Sequence, residues 1–150
     1  MKIQLPPPLV MVIFGLFMYL LDTYLPVGEF QFFGREILMY VVFGLGVGIM
    51  GVALVQFLVA KTTTNPLKPE KATQLVISGI YQYTRNPMYL GMLLFLIALG
   101  LHLGNAFNTL TAAGFVYYMN HFQIKKEEDA LLAKFGKTYQ LYMKAVRRWF

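Results

Sequence analysis

The 150-residue chain contains no cysteine. Disulfides, thiolate metal sites and a cysteine nucleophile are excluded together. Its two histidines, His102 and His121, lie too far apart in sequence to form a local zinc motif, so no metal site is expected. Charge is also short. Only 13% of the residues are charged, against about 25% in a typical soluble domain. Hydrophobic residues make up 57% and the mean hydropathy is +0.55. A membrane protein of one domain is the natural reading.

The charge that is present sums to +6. It flanks apolar runs and follows no groove-binding pattern, so a nucleic-acid partner is not expected. Four runs stand out: Leu9–Leu25, Ile37–Ala60, Met88–Leu103 and Ala106–Phe122. Each approaches the roughly 20 residues a spanning helix requires, the last two on the short side. Lys2 precedes the first run as in a signal peptide, but no small-residue cleavage site follows, and Pro6-Pro7-Pro8 reads as a stiff lead-in to a helix. The turn Gly104-Asn105 makes the last two runs an antiparallel hairpin.

Sidedness follows from the loops. Asp22, Glu29, Arg35 and Glu36 make the first loop net negative. Lys61, Lys68, Lys71 and Arg85 outweigh Glu70 in the second, and seven cations outweigh three carboxylates after Phe122. By the positive-inside rule, the second loop and both termini face the cytoplasm. The expected fold is therefore all-α and integral to the membrane, with four transmembrane helices at 9–25, 37–60, 88–103 and 106–122. After a break at Phe135-Gly136, Lys137–Phe150 mixes cations with Tyr139, Tyr142 and Trp149, as expected of a C-terminal interfacial amphipathic helix.

Two polar clusters, 81–89 and 121–128, fall at the cytoplasmic ends of these spans. In the first, Asn86-Pro87 can simply start a helix, with Arg85 a snorkelling anchor. That leaves Tyr81, Tyr83, Arg85, Asn86 and Tyr89 unexplained as a group; an arginine fork among aromatic donors suits a carboxylate. In the second, helical periodicity puts Tyr117, His121, Ile124 and Glu128 on one face, with Asn120 and Glu127 beside it. On spacing alone, Glu127-Glu128-Asp129 also fits a solvated acidic turn balancing Lys125, Lys126 and Lys134, and His121 fits a simple marker of the headgroup boundary. The GxGxxG match at Gly46–Gly51 sits inside an apolar run without the strand–turn–helix context of a dinucleotide site. Gly44, Gly48 and Gly51 instead share a face open to close helix approach.

The segment Gly79-x-Tyr81-x-x-Thr84-Arg85-Asn86-Pro87-Met88-Tyr89-Leu90-Gly91, followed by Glu127-Glu128-x-x-Leu131, Phe135-Gly136, Tyr139, Tyr142, Val146 and Arg148, resembles the signature of the isoprenylcysteine carboxyl methyltransferase-like membrane enzymes, which are related to the phospholipid methyltransferases. The resemblance implies one methyltransferase domain over 1–150, with its cofactor-binding half at about 76–150. It implies S-adenosylmethionine as cofactor and a lipophilic small-molecule or lipidated acceptor entering from the membrane lipids. By matching position, Arg85, Asn86 and Glu128 are expected to carry catalysis. Tyr81, Arg85, Pro87, Tyr89, His121, Glu127 and Glu128 are expected to hold the cofactor, with Glu128 foremost for its ammonium group. Asn86 departs from the histidine usual in the prenylcysteine enzymes, and Ile80 from a frequent proline. The eukaryotic enzymes are longer, so their protein substrate does not carry over.

The expected function is methyl transfer from S-adenosylmethionine to a lipophilic acceptor, an isoprenylcysteine-like carboxylate or another lipid, at the cytoplasmic face of a multi-pass, bacterial-type inner or plasma membrane. Two alternatives stay open: an NADPH-dependent reductase of the sterol-reductase type, and a non-enzymatic membrane scaffold or lipid-binding protein. A reductase would call for a basic phosphate pocket rather than paired carboxylates.

Overall fold

The computed structural model describes residues 5–60 and 73–150. Lys61, Lys68, Glu70 and Lys71, on which part of the sidedness argument rests, lie outside the described residues, as does Lys2. Six α-helices are present among those described: α1 Pro7–Tyr24, α2 Arg35–Val59, α3 Pro87–Leu103, α4 Asn108–Tyr118, α5 Lys125–Phe135 and α6 Lys137–Ala145. A 3₁₀ turn, Gly79–Gln82, precedes α3, and a π-helical turn, Met119–Ile124, joins α4 to α5.

The helix ends follow local chemistry. Proline opens α1 and α3, where its missing N–H is no loss. Gly104 ends α3 in the left-handed conformation (φ 75°), and a side chain there would collide with Arg35 Nη1, which donates to Phe30 O at 2.9 Å. Gly136 (φ 52°) breaks α5 from α6, where the sequence placed the break. At the Gly104 end of the bundle, Asn105 Nδ2 donates to Leu25 O (3.0 Å) and Phe30 N donates to Gly104 O (2.8 Å). These bonds tie the first loop to the α3–α4 turn.

Helices α1 and α2 are long and apolar enough to cross a bilayer, and most of their side chains are left uncovered by the protein. A soluble protein's core helix would be covered instead. The third apolar helix, α3, is shorter and packs chiefly against α2. Their contact runs backbone to backbone: a Cβ added at Gly91 would lie 3.0 Å from Gly46 O, and one at Gly46 would lie 3.1 Å from Gly91 O. Close approach thus belongs to Gly46. The expected face of Gly44, Gly48 and Gly51 meets nothing among the described residues within 4 Å. Sequence periodicity found the small residues but chose the wrong side of the helix.

The fourth run also differs from expectation. Its helix starts at Asn108 and continues through the π turn into α5 rather than ending at 122. A π turn holds about one extra residue, rotating the residues beyond it by roughly 100° relative to an uninterrupted α-helix. Tyr117 and His121 are therefore exposed, whereas Ile124 and Glu128 are buried. The single face expected to unite all four does not exist.

Candidate active site

The polar segment before α3 is built by long-range bonds. Gln56, near the end of α2, accepts from Ile80 N and donates to Ser78 O, both at 3.2 Å, which fixes the 3₁₀ turn. Tyr81 is buried by that turn, its ring edge-on to Phe57, and its carbonyl accepts from Tyr142 Oη at 2.6 Å. Residues 84–86 then lie against the C-terminal tail. Thr84 Oγ1 and Asn86 Nδ2 both donate to Arg148 O (3.1 and 3.0 Å), and Arg85 N donates to Arg147 O (3.0 Å). Asn86 is the N-cap residue of α3, yet its side chain makes no capping bond.

The two glutamates have opposite surroundings. Glu128 is buried between two arginines: Arg148 grips it with a fork, Nε to Oε1 at 2.8 Å and Nη2 to Oε2 at 2.6 Å, while Arg85 Nη1 lies 3.0 Å from Oε1. That last contact is an ion pair out of line for a hydrogen bond, so Arg85 Nε and Nη1 are both buried without a hydrogen-bonding partner. Arg85 is not a snorkelling anchor, with 9% of its side chain exposed.

Glu127 has no such charged grip among the described residues. Its carboxylate accepts from Tyr89 Oη and Gln123 Nε2, both neutral groups. Burial pushes its carboxyl up to about 7, against the lowering pull of those two bonds, and the neighbouring Glu128 charge adds to the rise. Burial likewise raises the Tyr139 hydroxyl to about 12, with Glu128 adding to the shift and Arg85 opposing it. The acidic run is not a solvated turn; of its three members Asp129 alone is exposed.

These groups meet at a cavity of about 320 Å³, within the usual range for small-ligand sites. Tyr81, Arg85, Asn86, Pro87, Tyr89, Glu127 and Glu128, all singled out from sequence, line it together. His121 does not; its Nδ1 lies 3.0 Å from Tyr117 O and its ring stacks on Tyr117 at the surface. Tyr139 and Tyr142 of α6 turn into the cavity wall, so the aromatic side of that helix packs on protein. Pro7 and Pro8 of α1, Met50 and Phe57 of α2, and Leu75 and Val76 supply apolar wall that carries no sequence motif. The walls thus extend beyond 76–150 into the first half of the chain. Gln123 reaches Glu127 at the ordinary i,i+4 spacing of a helix, a pairing legible in the sequence that the motif reading passed over.

The model of the family described as phospholipid methyltransferase matches residues 35–138, a stretch that contains α2, α3 and both glutamates. The chain belongs to the phospholipid methyltransferase family. Among its relatives, an uncharacterized protein of Haemophilus influenzae is 47% identical over 62 residues, covering 41% of this chain and 98% of that one. Protein-S-isoprenylcysteine O-methyltransferases are also similar: 34% identical over 79 residues in Schizosaccharomyces pombe and 37% over 75 residues in Dictyostelium discoideum. These matches cover 53% and 48% of this chain but only 34% and 30% of those enzymes, about a third of their length. No solved structure matches.

Proposed function

We propose that this member of the phospholipid methyltransferase family transfers a methyl group from S-adenosylmethionine to a lipophilic acceptor. One observation carries the reading. The cavity sets a buried arginine, whose Nε and Nη1 make no hydrogen bond among the described residues, and a carboxylate held there by neutral donors into largely apolar walls. A free amino-acid end, with its carboxylate and ammonium, would satisfy both. The residues present therefore fit this donor. Arg85 would take the carboxylate, Glu127 the ammonium, and Tyr81, Tyr139 and Tyr142 would offer aromatic surface to the adenine. Pro87 and Tyr89 would shape the wall behind Glu127. Glu128, first choice for the ammonium from sequence, is occupied by two arginines and becomes the support of Arg85 instead.

When bound, the donor supplies an electrophilic methyl group; the protein's part is to orient and desolvate. Arg85 and Glu127 would fix the amino-acid end, so that approach to the methyl carbon is set by position. Asn86, whose Nδ2 is engaged by Arg148 O, would hold the loop bearing Arg85 rather than touch the acceptor. A carboxylate acceptor, as the names of the yeast and slime-mould relatives suggest, needs no proton removed, and the low-polarity wall favours charge cancellation. The full topology belongs to the same reading: four spans, with α3 and the α4–π segment as the short third and fourth, and the cavity facing the cytoplasm.

Calorimetric titration of detergent-purified protein with S-adenosylhomocysteine, and separately with NADPH, tests the proposal. Saturable binding of the first alone is expected. Binding of NADPH alone by folded protein would replace methyl transfer with the reductase reading, and binding of neither would favour a non-enzymatic role.

A further inference from the structure

Arg85, Glu128 and Arg148 form a triad of two cations and one carboxylate, leaving one positive charge uncancelled. The division within it is unequal. Arg148 takes both carboxylate oxygens in a fork, whereas Arg85 reaches the Glu128 carboxylate through one ion-pair contact that is out of line for a hydrogen bond. A carboxylate has two oxygens to offer one guanidinium fork. Without the Arg148 side chain, Glu128 would be free to take Arg85 in the same way and cancel its charge. The backbone of Arg148 does something separate, since its carbonyl receives Thr84 Oγ1 and Asn86 Nδ2. Side-chain truncation removes the fork and keeps those bonds.

We propose that Arg148 is a positioning residue for ligand binding: by occupying Glu128 it keeps the Arg85 guanidinium turned to the carboxylate of a ligand in the cavity. The role rests on the reading of the cavity as a site for S-adenosylmethionine and adds a residue that does not line it. Arg148 is 38% exposed at its side chain and sits outside the cavity wall, so it acts through Glu128.

The test compares two probes by calorimetry on the full chain: S-adenosylhomocysteine, and 5′-methylthioadenosine, which keeps the nucleoside and thioether but has no amino-acid end. Arg148→Ala is expected to weaken S-adenosylhomocysteine about tenfold, the scale of one charge-assisted hydrogen bond, and to leave methylthioadenosine unchanged. Arg148→Lys, which retains the charge without the planar fork, is expected to rescue in part. Equal weakening of both probes, or of neither, overturns the proposal, and thermal unfolding of each variant identifies a fold defect. Failure of the wild-type protein to bind S-adenosylhomocysteine would instead remove the donor reading itself.

Discussion

Glu127 and Glu128 are adjacent and chemically identical, yet one is gripped by two guanidinium groups and the other by a phenol and an amide. Their substitution should separate accordingly. Glu128→Ala leaves Arg85 buried without its countercharge and is expected to cost about 3–5 kcal/mol, seen as a large fall in thermal unfolding temperature. Glu127→Gln is expected to fold well and to lose ligand affinity instead, about ten- to a hundred-fold for S-adenosylhomocysteine. The pH dependence has a definite sign. Glu127 rises from an ordinary 4.5 to about 7, so the folded state holds a proton that the unfolded state releases. Its contribution to stability therefore declines as pH rises from 4.5 to 7 and then levels. Ligand binding runs the other way: with the ammonium requiring the charged form, affinity should fall about tenfold per pH unit below about 7 and be flat above it. Glu127→Gln should abolish that slope in a pH series of titrations. That the clusters of 81–89 and 127–128 meet was legible in the residues, since Tyr81, Arg85, Asn86, Tyr89, Glu127 and Glu128 line one cavity. The division of labour was not, because it depends on Arg148, twenty positions along the chain from Glu128 and brought back by the turn at Gly136.

At the scale of elements, the π turn and the α2–α3 crossing decide what meets what. Periodicity assumed one uninterrupted helix beyond Ala106, and the extra residue within Met119–Ile124 moved His121 out and Gln123 in. Nothing in Met119-Asn120-His121-Phe122 announces a π turn, so the separation of His121 from Glu128 was out of reach of pattern reading, whereas Gln123 and Glu127 are ordinary i,i+4 neighbours. Helix ends were more legible, because proline at 87 and glycine at 104 and 136 act locally. The glycines of α2 give a test with opposite signs on two faces. Gly48→Ala meets open space and should raise stability by about 0.5–1 kcal/mol through helix propensity. Gly46→Ala must fit a methyl 2.9 Å from the Phe95 ring and 3.1 Å from Gly91 O, and should lower stability by about 1–3 kcal/mol. Thermal unfolding in detergent reads both.

For the whole molecule, two uncovered apolar helices lead to a cavity built at one end of the bundle from both halves of the chain. The absence of cysteine makes its sidedness simple to test. Phe33→Cys lies in the exposed first loop and Phe150→Cys at the exposed tail. A membrane-impermeant maleimide applied to intact cells should label the first and spare the second; equal labelling of both would remove the four-span orientation. The most direct measurement of the central claim is ultraviolet cross-linking of methyl-labelled S-adenosylmethionine to the purified protein, with the adduct mapped by mass spectrometry. The label should fall on the peptides bearing Tyr81–Tyr89 or Tyr139–Tyr142, compete with S-adenosylhomocysteine, and weaken in Glu127→Gln. A folded protein that takes no label, or takes it on the outer face of α2, would contradict the assignment of this cavity as a methyl-donor site.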